Sequence, residues 1–326
     1  MRLIVLTGVA IFFSVPQGKS AEPTRIRIGY ASTSASFAPL FVAKEAGLFE
    51  KHGLINELIY LQGVQITQVH VAGHLDFSVA GAPLPMQAAV EGADLILVAS
   101  SMDKFHFKLI VEPGIKSPED LKNKIIGIAR FGSLPDVAIR LVLKQWGMDA
   151  DKDVKLFQVG RMSDMVAALS GKRIDAAVLS DPTSFQAEKL GMRRLLDMAD
   201  IDIEFANSAV AVSRAYAKSH RNVVIRFLQA YVEGTQRFMT DREFGIKALR
   251  KYTGSEDREI LGKTYNLFSS KYLKKVPAVS LKSVENTLAM IADRNPRAKN
   301  RKTEEFVDTS FIDELEKTGF IKSVWR

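Results

Sequence analysis

Four short segments of this 326-residue chain join hydroxyl, small or charged residues to the start of a helical pattern, and there it could do chemistry. The first is Ser32-Thr33-Ser34-Ala35-Ser36-Phe37. Hydroxyls just before a helix either cap its free N–H groups or join them in holding an oxyanion. Ser34 and Ser36 are open to both uses, and Phe37 to a core position or an apolar wall. In the second, Ala80-Gly81-Ala82-Pro83, the small residues Gly81 and Ala82 let backbone approach a ligand closely or simply make a tight turn. The third is Arg130-Phe131-Gly132-Ser133-Leu134-Pro135-Asp136. Ser133 is placed to N-cap a helix, Asp136 resembles the far half of a capping box, and Gly132 permits close approach. Arg130 is either a surface residue or a fixed cation beside the helix N-terminus, an arrangement suited to carboxylate or sulfonate. The fourth, Leu179-Ser180-Asp181-Pro182, sets an acid where it can accept from an amine or heterocyclic N–H, or cap the helix opening at Thr183. Asn207, at the return hinge, and Met102, after the Leu95 to Ser100 strand pattern, are further candidates. Arg130 and Asp181 together would suit a zwitterion or polar heterocycle, whereas an inorganic anion would leave Asp181 unpaired.

Other chemistries are excluded by composition. The chain has no cysteine, hence no disulfide, thiolate nucleophile, Cys-ligated zinc or iron–sulfur cluster. Of its histidines, His70 and His74 lie four apart, but no glutamate of an H-E-x-x-H metal site stands between them. No G-x-S-x-G elbow or P-loop is present. No catalytic residue, metal or cofactor is therefore expected. Formal net charge is +8. The densest basic stretch, 294–302, is flanked by Asp293 and Glu304-Glu305 and lacks aromatics, as in a solvated loop rather than a nucleic-acid site.

Arg2, the apolar run Leu3 to Val15, Pro16, Gly18 and Ser20-Ala21 make residues 1–21 read as a secretory signal peptide cleaved near Ser20-Ala21. The run is shorter than the roughly 20 apolar residues that span a bilayer. No cysteine follows it to carry a lipid, so the expectation is a freely diffusing periplasmic protein without a membrane anchor. Losing Arg2 and Lys19 with the leader leaves 43 basic against 37 acidic residues, or +6.

The rest alternates short apolar runs with amphipathic stretches, the pattern of βαβ units. Strands are expected at Ile26 to Tyr30, Leu58 to Leu61, Asp76 to Ala80, Leu95 to Ser100, Lys124 to Ala129, Val154 to Gln158, Ala176 to Leu179 and Val210 to Val212. Helices lie between them and fill the chain after Ala215. A repeat is visible. Gly73-His74-Leu75-Asp76-Phe77 parallels Gly171-Lys172-Arg173-Ile174-Asp175-Ala176: a helix stops at glycine, an acid makes the turn and a buried strand follows.

In order and spacing the chain resembles the nitrate/sulfonate/taurine-type substrate-binding proteins of ABC importers. The resemblance rests on Ile28-Gly29-Tyr30, Pro39 through Leu54, Gly73 through Phe77, Ser117 through Gly127, Leu143 to Gly147, Asp151 to Val154 and Gly171 through Ala176. It implies an α/β, two-lobed periplasmic binding protein (type II-like). Each lobe would be a mostly parallel sheet flanked by helices, with residues 25–111 and 209–326 in one lobe and 112–208 in the other. Two hinge strands would join them around a ligand cleft lined by the four segments above. The implied partners are a small-molecule ligand and a permease–ATPase complex, with the binding protein a monomer. The same fold could instead serve a sensor. It also carries pyrimidine-forming enzymes of thiamine biosynthesis, whose cysteine-rich motif is absent here.

Overall fold

The computed structural model describes residues 23–326, so the expected signal peptide lies outside the described residues. Ten strands follow in chain order: β1 (Thr24–Tyr30), β2 (Leu54–Tyr60), β3 (Phe77–Ala80), β4 (Leu95–Met102), β5 (Phe107–Val111), β6 (Ile125–Ile128), β7 (Lys155–Gln158), β8 (Ala176–Ser180), β9 (Arg193–Asp197) and β10 (Asn207–Ser213). They form two sheets, ordered β2-β1-β3-β10-β4 and β7-β6-β8-β5-β9. In the first, β1 runs parallel to β2 and β3, and β10 is antiparallel to both its neighbours. The second repeats the plan, with β6 parallel to β7 and β8 and β5 as the antiparallel strand. The parallel set in each sheet is the product of βαβ crossovers; the antiparallel member is the strand that enters from the other lobe.

The chain leaves the first sheet after Met102 and enters the second at Phe107. Strand β5, expected in the first lobe as part of 25–111, thus belongs to the second sheet. It is buried along its whole length and apolar but for Lys108, and such a run carries no periodicity to say which sheet it joins. Strand β9 was not expected. It is an edge strand opened by Arg193-Arg194, charges that break an apolar run but suit an unpaired edge.

The repeated turn performs the same task in both lobes. Asp76 Oδ2 accepts from the Arg27 N–H and Asp175 Oδ2 from the Ile125 N–H, each at 2.7 Å. The Asp76 N–H donates to Arg27 O and the Asp175 N–H to Ile125 O, each at 2.9 Å. Each acid thereby pins its strand to the parallel neighbour in register. The turns differ in one detail: the left-handed residue is Gly73 in the first but Lys172, not Gly171, in the second.

Helices cover both faces of each sheet. In the first lobe Phe77 stacks on Phe227 at 4.0 Å, burying the long helix Arg221–Thr240 against the sheet. That helix crosses Ala38–Glu45 at Gly234, where an added Cβ would stand 2.4 Å from Pro39 O. The close approach places the segment after β1 at its position over the sheet. Gly234→Ala should therefore cost about 1–3 kcal/mol through overpacking, read as a lowered urea midpoint.

His70 is buried, its Nδ1 2.7 Å from Ser78 Oγ, and burial holds its pKa down at about 4. A histidine depressed in the folded state leaves stability intact above the unfolded pKa of about 6.5 and erodes it as pH falls below that value. By pH 5 this one group should remove about 2 kcal/mol. Urea unfolding at pH 7 and pH 5 measures it, and His70→Gln should flatten the difference.

Candidate functional site

The carboxyl ends of the parallel strands of both sheets face one another across a cavity of about 410 Å³. Ser32, Ser34, Ser36 and Phe37 follow β1, Tyr60 and Gln62 end β2, and Gly81 and Leu84 follow β3. From the other lobe come Arg130 and Ser133 after β6, Arg161 and Met162 after β7, and Ser180 to Thr183 after β8. This is where open α/β sheets hold ligands, because side chains and helix starts converge beyond the strand ends. His106 and Asn207 supply the wall where the chain crosses between lobes, and Lys251 to Gly254 add a third side from the C-terminal helices.

The lobes touch at the mouth. Arg130 Nε and Nη2 lie 3.4 and 3.3 Å from Gln62 Oε1, and the Ala35 N–H donates to Asp181 O at 3.4 Å. A Cβ on Gly81 would sit 2.9 Å from that of Leu134, and one on Gly63 2.8 Å from Arg130 Cδ. Farther out, Lys144 pairs with Asp293 at 2.7 Å and Arg294 with Asp151 at 2.9 Å. The structure is that of a closed cleft.

Among the candidates named from sequence, Ser34, Ser36, Phe37, Gly81, Arg130, Ser133, Ser180, Asp181 and Asn207 line this cavity. Ala82 and Met102 do not. Ala82 donates its N–H to Ala206 O, and Met102 packs among Ala35, Ala38, Val42 and Phe238. Gly132 borders a different hollow, between the helices Leu134–Gln145 and Leu281–Ala292, and gives its N–H to Asp136 Oδ2 at 2.8 Å.

The hydroxyls do not cap as expected. Ser34 and Ser36 bond each other through their Oγ atoms at 2.7 Å, and Ser133 Oγ donates to Arg130 O at 2.5 Å. Asp136 closes back on Gly132 and holds Arg140 at 2.7 Å instead of completing a capping box. Asp181 is engaged as well. Its Oδ2 accepts from Lys108 Nζ at 2.6 Å and its Oδ1 from Ser184 Oγ, with both charged side chains wholly buried. Burial pushes the Asp181 carboxyl up, against the pull of Lys108. Lys108 also donates to Tyr272 Oη at 3.2 Å and His106 O at 3.4 Å.

Sequence reasoning missed Tyr60, Gln62, Arg161, His106, Lys108 and Tyr252. The rule that singled out the other strand-to-helix loops, applied to β2 and β7, would have found Gln62 and Arg161. No local signal marks Tyr252. It reaches the cleft from a helix end, stacked on Phe41 at 4.0 Å with its hydroxyl 2.8 Å from Glu45. Arg161 faces Asp164 at 3.2 Å and Lys251 faces Glu45 at 2.8 Å, whereas Arg130 has no carboxylate partner among the described residues. The wall thus offers cations and hydroxyls, and its acid, Asp181, is already neutralised.

Paired mixed sheets around an interlobe cleft are the fold of periplasmic binding proteins. The profile described as NMT1/THI5 like matches residues 34–243, and the chain belongs to that family. A Brucella abortus (strain 2308) chain described as a binding protein is 29% identical over 244 residues, 73% of this chain and 74% of its own. A solved Bordetella bronchiseptica RB50 structure superposes with a TM-score of 0.81 at 20% identity, covering 91% of this chain and 98% of the other. The alkanesulfonate-binding protein SsuA of Xanthomonas axonopodis pv. citri, solved with MOPS bound, gives 0.72 at 22% identity, covering 87% and 96%.

Lys108→Met leaves Asp181 buried without its cation, at a cost of about 3–5 kcal/mol. Adding Asp181→Leu should recover most of that loss in chemical denaturation, since no charge then remains in the core.

Proposed function

We propose that this chain is the solute-binding component of an ABC importer, and that it captures a small organic anion by closing its lobes. The observation that carries the reading is the interlobe cavity itself, with Arg130 as a cation that has no carboxylate partner among the described residues and Asp181 neutralised by Lys108. A zwitterion, considered from the sequence, loses its acceptor once Asp181 is committed. The volume of about 410 Å³ falls within the roughly 300–1,000 Å³ of organic-ligand pockets. Phe37, Tyr60, Leu84, Leu134, Met162 and Tyr252 supply an apolar wall, so the anion carries an apolar body. The alkanesulfonate ligand class of the SsuA structure fits this description. The leader read from residues 1–21 favours the periplasm, and the relatives described as binding proteins favour a chain that binds its solute, leaves it chemically unchanged and, as a monomer, passes it to a permease.

Thermal-shift measurements on the mature chain against organic sulfonates and carboxylates test this. A ligand at 100 times its Kd stabilises by about 2.7 kcal/mol, a rise of roughly 2–4 °C at this size. Arg130→Ala should weaken a stabilising anion about 10- to 100-fold, the worth of a charge-assisted hydrogen bond. Gly81→Val, which meets Leu134 across the mouth, should lower the response to ligand while leaving the melting of the free protein nearly unchanged. Stabilisation by cationic amines alone, or turnover of a hit, would overturn the proposal.

A further inference from the structure

His106 stands at the crossing into the second sheet, 2% exposed, beside Phe107 and edge-on to Phe268 at 5.8 Å, and it borders the cavity. One ring nitrogen is engaged: Nδ1 lies 2.5 Å from the Asn207 side-chain amide. Two neighbours fix which way that amide faces. Its Oδ1 accepts from the Ser208 N–H at 2.8 Å, and its Nδ2 donates to Lys104 O at 3.4 Å. Turning it over would set oxygen against a carbonyl and NH₂ against an N–H. Nδ1 must therefore accept from Asn207, and the ring proton of neutral His106 sits on Nε2. That Nε2 is buried and has no hydrogen-bond partner among the described residues. A buried donor without an acceptor is uncommon in native proteins, and leaving one so costs about 1–3 kcal/mol.

We propose that His106 is a specificity-determining residue of the cleft, donating its Nε2–H to a second acceptor on the bound anion, away from the acid group. The inference rests on the reading of the cavity as the ligand site. Burial, and Lys108 two residues along, oppose protonation of the ring, which keeps it a neutral donor. A neutral donor does what Arg130 does not. An arginine attracts any anion, whereas an uncharged N–H held by Asn207 rewards an acceptor at one spot and rejects an ammonium or amide N–H there. The favoured ligand is therefore a sulfonate or carboxylate whose apolar body carries a carbonyl, ether oxygen or ring nitrogen. The donor is set by a contact between the outgoing crossing, which holds Lys104 and His106, and the returning one, which holds Asn207 and Ser208. A ligand bonded to His106 thus engages both crossings together.

The test pairs nitrogen-15 NMR of the histidine rings with calorimetry, using benzenesulfonate and pyridine-3-sulfonate as probes that differ by one ring acceptor. In the wild-type chain His106 should show the neutral Nε2–H tautomer, and its proton should shift on adding pyridine-3-sulfonate. His106→Phe should weaken that probe about tenfold and leave benzenesulfonate within twofold. An Nδ1–H tautomer, an Nε2–H that ignores a bound probe, or equal losses for both probes in His106→Phe would each overturn the proposal. If neither probe, nor any anion in the thermal-shift panel, binds the wild type, the capture reading fails and this one with it. Binding without a response at His106 sinks only the present inference.

Discussion

The Lys108–Asp181 ion pair is the constraint on which this structure turns. It ties the first strand of the second sheet to the loop after β8, and Tyr272 adds a ligand from the C-terminal helices of the first lobe. Two wholly buried charges are tolerated only because each is met by the other and by further hydrogen bonds. That requirement fixes the height of the Ser180-to-Thr183 loop under the cavity. It also decides the cavity's electrostatics. The acid that sequence reading offered to a ligand amine belongs to the protein's own lysine, so the remaining polar groups of the wall are chiefly donors. One contact both positions that loop and leaves the cavity wall without an unpaired acid.

The strand-to-helix loops were legible because their chemistry is local. A small or hydroxyl residue after an apolar run and before a helical pattern marks the end of a parallel strand, and the parallel strand ends are what converge. The elements themselves followed from periodicity, and the Asp76 and Asp175 turns were visible as a repeat because each must pin a strand in register.

What was not legible depends on partners distant in sequence. Strand β5 reads as a buried apolar run whichever sheet receives it, and Lys108 within it reads as an interruption until Asp181, 73 residues on, is brought against it. His106 looked like one polar residue among several; Asn207, on the returning crossing, gives it a defined tautomer. Tyr252 has no signal of its own because it enters the cleft from a helix that belongs to neither βαβ series. In each case the residue type was visible and its use was set by tertiary pairing.

The sheet orders carry one more consequence, for the sequence of events as the chain emerges. Strands β3 and β4 are not neighbours: β10 lies between them, and β10 follows the entire second sheet in the chain. The second sheet is built from consecutive strands, residues 107–197, and has all its members as soon as that stretch is available. The first sheet, although it begins at residue 24, keeps a gap between β3 and β4 until residue 213 has emerged. A chain that emerges N-terminus first therefore has every strand of its later lobe at hand before the last strand of its earlier one. The half-built sheet must meanwhile stay soluble with two strand edges unpaired.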